Sequence, residues 1–111
     1  MATFQVTLRL PGGEEVSFPC DGGTFVLHAA LERGVDLPYL CLQGWCVTCA
    51  GRLLEGEVDQ SAARRFYPQD AAAGFCLLCT ARPRSDLKVL THQKEAMRQH
   101  RLALGLPVPR G

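Results

Sequence analysis

Phe4, Val6, Leu8 and Leu10 fall at alternate positions, and Val16 and Phe18 alternate again after Pro11-Gly12-Gly13. A period of two puts side chains on one face of a strand, so residues 3–18 read as a β-hairpin, ended by the Asp21-Gly22-Gly23 turn. Thr24 is then placed to cap a helix from Phe25 to Arg33, with Phe25, Leu27, Ala29 and Leu31 facing inward. Gly34 can take the left-handed conformation that stops it, and Pro38 blocks any continuation. From Tyr39 to Thr48 neither period is present. Residues 50–54 and 75–81 read as short strands, the second a nearly continuous apolar run. Between them, Asp59-Gln60-Ser61 and Tyr67-Pro68 mark turns around one helical turn, and Leu87, Val89 and Thr91 form a last strand. This β-β-α-β-β order predicts an α+β roll, a small mixed sheet wrapped over one helix. In the tail, Thr91 is placed to cap a helix that carries Ala96, Met97, His100, Ala103 and Leu104 on one face. Lys94, Arg98 and Arg101 line another face, and Gly105 and Pro107 end the helix.

Composition narrows the class without changing the elements. The chain has 111 residues, 47% hydrophobic and 21% charged, the balance of one globular domain rather than of a disordered or repetitive chain. Lys and Arg number 12 against 11 Asp and Glu, a net charge of +1 that gives no bulk electrostatic reason for nucleic-acid binding. The charge is unevenly spread: residues 1–63 carry three basic and eight acidic side chains, and residues 64–111 carry nine basic and three acidic. No apolar run is long enough to cross a bilayer, and the N-terminus lacks the hydrophobic stretch of a signal peptide. Neither membrane insertion nor export is expected. Without an oxidising compartment, six cysteines are better read as metal ligands or redox groups than as structural bridges.

Four of them, Cys41, Cys46, Cys49 and Cys79, stand in the order C-x4-C-x2-C-x29-C, and the spacing of the first three matches the plant-type 2Fe-2S pattern. An anionic binuclear cluster needs thiolates on a loop that folds around it and hydrogen-bond donors aimed at its sulfurs. Gly44 and Ala50-Gly51 offer close backbone approach, and the Thr48 hydroxyl offers one further donor.

On these residues the chain resembles the plant-type 2Fe-2S ferredoxins. The likeness extends to Thr24-Phe25-Val26-Leu27, Gly34-Val35-Asp36-Leu37-Pro38-Tyr39, Gly56-Glu57-Val58-Asp59-Gln60-Ser61 and Gly74-Phe75 before Leu78-Cys79. The continuation beyond the usual end of the family, with Gln43-Gly44-Trp45-Cys46-Val47-Thr48-Cys49, is similar to the divergent cyanobacterial and plastid C-type ferredoxins. The resemblance implies a β-grasp (ubiquitin-like) fold over residues 1–91, a C-terminal extension over 92–111, and one 2Fe-2S cluster held by Cys41, Cys46, Cys49 and Cys79. It implies a soluble one-electron carrier rather than an enzyme, with no catalytic residue. Its partners would be redox proteins met in transient complexes: a reductase or photosystem donor and an acceptor enzyme. A monomer is expected, in the cyanobacterial cytosol or the plastid stroma. The basic stripe Lys94, Arg98 and Arg101 is either the wet face of a helix or a docking stripe for an acidic partner.

Two other readings stay open on the sequence. Cys46-x2-Cys49 and Cys76-x2-Cys79 are two C-x2-C pairs, the pattern of a zinc-stabilised interaction module. A cluster-bearing sensor or assembly factor would use the ferredoxin ligands for another end. In the carrier reading Cys20 and Cys76 are small buried hydrophobes.

Overall fold

In the computed structural model, which describes residues 2–39 and 47–108, the N-terminal alternation forms β1 (Thr3–Arg9) and β2 (Glu15–Asp21), paired antiparallel. The register sets Val6 opposite Phe18 and Leu8 opposite Val16. A parallel partner, β7 (Leu87–Leu90), sets Leu87 and Val89 beside the same two β1 residues. One face of three strands is therefore apolar, and Val6, Leu8, Phe18, Leu87 and Val89 are all buried. β3 (Ala50–Glu55) pairs with β7 and with β5 (Phe75–Leu77), completing a sheet of order β2-β1-β7-β3-β5. β4 (Val58–Asp59) and β6 (Arg82–Pro83) make a separate two-stranded ribbon that the hydropathy pattern does not show, because two residues are too few to carry a period. The result is the expected α+β β-grasp architecture.

α1 (Val26–Glu32) buries Val26, Leu27, Ala29 and Ala30, while Phe25 and Leu31 are only half-buried. Gly34 does take a positive φ of 76° beyond its end. Thr24 does not cap it. The residue before the helix is Phe25, without a side-chain hydrogen bond, and the first amides are satisfied from elsewhere in the fold: Val26 N–H donates to Ala81 C=O at 2.9 Å and Leu27 N–H to Leu78 C=O at 3.0 Å. Tertiary carbonyls replace the local cap, and they come from the turn that carries Cys79.

α2 (Pro68–Ala72) is the single helical turn anticipated after Tyr67, with Pro68 at its start and the Asp70 carboxylate accepting Tyr67 N–H at 3.0 Å. α3 (Lys94–Leu104) ends at Gly105 with φ 70°, where Gly105 N–H reaches Leu102 C=O and Leu106 N–H reaches Arg101 C=O. Its start differs from expectation. Thr91 remains tied to β1, both N–H and hydroxyl donating to Arg9 C=O, and a left-handed His92 (φ 57°) redirects the chain into the helix.

The buried face of α3 also differs. Ala96, Ala103 and Leu104 are exposed, whereas Met97 and Arg101 are fully buried. Arg101 is therefore not part of a surface stripe with Lys94, which is exposed, and Arg98, which is half-buried. The reason is a partner remote in sequence: Arg101 Nη2 lies 2.9 Å from Asp70 Oδ2, and both side chains are excluded from solvent. Removing one member of such a pair costs about 3–5 kcal/mol, because the other charge is left buried.

Candidate metal centre

The β3–β5 register brings two cysteines together. Ala50 pairs with Leu77 across antiparallel strands, so the turn entering β3 and the turn leaving β5 lie at the same end of the sheet. Leu78 N–H continues the ladder by donating to Cys49 C=O at 3.2 Å. Cys49 Sγ and Cys79 Sγ are consequently 3.2 Å apart, both buried. That separation is well beyond a disulfide bond of about 2.05 Å. It lets both sulfurs reach one metal atom.

The strand carrying Cys79 is shorter than its apolar run. Every residue from Phe75 to Ala81 is buried, so no alternation marks where pairing stops, and the chain turns at Leu78. Gln60, in the turn after β4, holds this turn. Its Oε1 accepts Leu77 N–H, and its Nε2 donates to Leu77 C=O and to Thr80 Oγ1, each at 3.3 Å. Asp59 shapes that approach by accepting Ser61 N–H at 2.8 Å, and the Ser61 hydroxyl first, then that N–H, with Arg84 nearby, hold its carboxyl below the ordinary range. In the sequence Asp59-Gln60-Ser61 reads only as a turn. The Asp-x-Ser signal was available, but nothing local announces which distant backbone the intervening Gln will grip.

Thr48 adds an observation about what the site accepts. Its hydroxyl is buried and has no hydrogen-bond partner among the described residues. A buried polar group without a partner costs about 1–3 kcal/mol. An unsatisfied donor on the residue that precedes Cys49 fits an anionic group supplied from outside the chain. The residues present thus suit an iron–sulfur cluster: soft sulfur ligands, exclusion of water by Val47 and Leu78, and a donor awaiting an acceptor. Cys41 and Cys46, with Gly44 and Trp45 between them, lie outside the described residues.

Gly51 also has a packing role behind the site. A Cβ there would stand 2.7 Å from Val89 Cγ1 and 3.4 Å from Cys76 Sγ, so its bare backbone serves packing between β3, β7 and β5. The zinc reading fails. It needs Cys49, Cys76 and Cys79 around one ion, yet among the described residues, which include these three, no three His, Cys, Asp or Glu side chains are grouped to hold a metal. Cys76 instead packs against Gly51 with its thiol pushed up to about 12 by burial. Cys20, on β2, is likewise raised to about 11 by burial and then by Asp21. Both are buried thiols, as expected.

Comparison with known proteins agrees with this geometry. Residues 10–84 match the family described as the 2Fe-2S iron-sulfur cluster binding domain. Ferredoxin-2 of Synechococcus sp. is 46% identical over 107 residues, covering 96% of this chain and 99% of that protein. Among solved structures, Pectocin M2 superposes with a TM-score of 0.75 at 29% identity, over 85% of this chain and 34% of that one. The Amycolatopsis cytochrome P450 reductase GcoB gives a TM-score of 0.68 at 37% identity, over 80% and 26%. This chain spans about a third or less of those two longer chains.

Proposed function

Since the chain belongs to the plant-type 2Fe-2S ferredoxin family and is a one-electron carrier with one 2Fe-2S cluster, we propose that Cys41, Cys46, Cys49 and Cys79 are the four thiolate ligands. When bound, such a cluster takes up and releases a single electron, with a potential set by surrounding charge, hydrogen bonds and solvent access. The chain's part is to hold and shield it. The 3.2 Å approach of Cys49 and Cys79 is the observation that carries the assignment, because it joins two residues thirty positions apart without help from any local motif. Thr48 supplies a hydroxyl donor, Gln60 fixes the turn that presents Cys79, and Val47 and Leu78 keep water out.

A carrier needs no general acid, base or nucleophile. Transient complexes with a reductase or photosystem donor and with an acceptor enzyme suit this role, as does residence in a cyanobacterial cytosol or plastid stroma as a monomer. No helix among the described residues is long and apolar enough to cross a membrane. An acidic partner would meet Lys94 and Arg98, the part of the tail's basic stripe that reaches the surface.

Single Cys→Ser variants, read as iron per chain and visible absorption, test the ligand set. Cys41→Ser, Cys46→Ser, Cys49→Ser and Cys79→Ser should each lose iron, while Cys20→Ser and Cys76→Ser keep it. Loss in Cys76→Ser with full loading in Cys41→Ser would overturn the assignment.

A further inference from the structure

We propose that the C-terminal helix α3 braces the two turns that present Cys49 and Cys79, with Arg101 and Asp70 as positioning residues for that pair. The inference rests on the ligand assignment above. α3 spans the β3–β5 pair from end to end. At the ligand end, Gln93 N–H, just before the helix, donates to Ala50 C=O at 3.0 Å, next to Cys49. At the other end, the His100 ring packs on Phe75 with centroids 5.2 Å apart, and Phe75 is the first residue of β5, paired with Arg52.

Arg101 locks this arrangement. Its Nη2 donates to Asp70 Oδ2 at 2.9 Å and to Arg65 C=O at 2.8 Å, its Nε faces Asp70 Oδ1 at 3.4 Å, and its Nη1 faces Pro107 C=O at 3.5 Å. The guanidinium also lies over the Tyr67 ring at 5.1 Å. The His100 Nε2 is 3.2 Å from Asp70 Oδ1 but off the hydrogen-bonding direction. Asp70 in turn sits in α2, which leads through Gly74 into β5, and Gly74 C=O accepts Leu53 N–H from β3 at 2.7 Å. A buried fork joining α3 to α2 thus fixes the start of β5, and the hydrogen bond to Ala50 fixes the start of β3. The turn entering β3 is thus held directly from α3, and the turn leaving β5 through the three-residue strand that the fork anchors. A carrier that must give and take electrons without changing shape gains from such a brace, because rigid turns keep the sulfurs in place.

The test uses the full chain loaded with its cluster. Backbone hydrogen exchange and the rate of iron release to an external chelator are measured in Arg101→Met and Arg101→Lys. Arg101→Met should raise exchange in residues 49–52 and 75–80 by roughly tenfold or more while leaving the β1–β2 hairpin unchanged. Iron should be lost about tenfold faster or more, and Lys, which keeps the charge without the fork, should give intermediate values. Wild-type exchange and iron loss in Arg101→Met would overturn the proposal, as would a uniform rise that includes the hairpin. If Arg101→Met does not load, Arg101→Lys decides, and a wild-type pattern there overturns the brace. Failure of the ligand assignment shows separately, as full iron content in Cys49→Ser or Cys79→Ser whatever residue stands at 101.

Discussion

At Cys76 burial decides the chemistry. Packed against Gly51 and raised to about 12, the thiol stays protonated through the neutral range, as does Cys20 at about 11. In the unfolded chain both ionise near the ordinary value of 9.0. Their contribution to stability is therefore complete below pH 9 and is lost as pH rises toward the folded values. Denaturant midpoints should fall above pH 9, and fall less steeply in Cys76→Ala; an equal slope in that variant would contradict the buried-thiol account. Gln60 carries a second prediction at this scale. Gln60→Ala leaves the buried Leu77 N–H without its side-chain acceptor and should destabilise the fold by about 1–3 kcal/mol, measured by chemical denaturation. The four candidate ligand cysteines stand out in the sequence by spacing, because metal chemistry constrains residue type and interval together. Arg101 was not: its periodic neighbours Lys94 and Arg98 made it look like solvent-facing charge, and only the fold reveals Asp70 beneath it.

Among the elements, those with a period long enough to count were legible and those defined by a distant partner were not. Residues 3–18 alternate against a single apolar face, so the β1–β2 hairpin and its register follow from pattern, though β2 runs on to Asp21. The end of β5 is invisible in a run buried throughout, and the start of α1 is set by carbonyls of Leu78 and Ala81 rather than by Thr24. The tight link from β3 to β4 depends on Gly56, whose φ is 95° and whose Cβ would collide with Asp86 C=O while standing 2.8 Å from Leu87 Cδ2. Gly56→Ala should cost at least about 2 kcal/mol, seen as a lowered unfolding midpoint. A near-neutral effect would mean that the turn can relax away from the β6–β7 connection.

For the whole molecule, charge and cluster govern what the fold is used for. The proposed docking of an acidic partner at Lys94 and Arg98 belongs to this scale: Lys94→Glu with Arg98→Glu should weaken binding to such a partner while leaving iron content unchanged. Binding that is insensitive to both the substitutions and added salt would remove the docking role of that face. The central claim is that four sulfurs from one loop and one remote turn hold a centre that exchanges electrons singly. Potentiometric titration of the loaded chain, followed by electron paramagnetic resonance, tests it most directly. The account predicts a one-electron Nernst curve with a single paramagnetic species on reduction, abolished by Cys79→Ser; a colourless, redox-silent protein or a two-electron transition would contradict it.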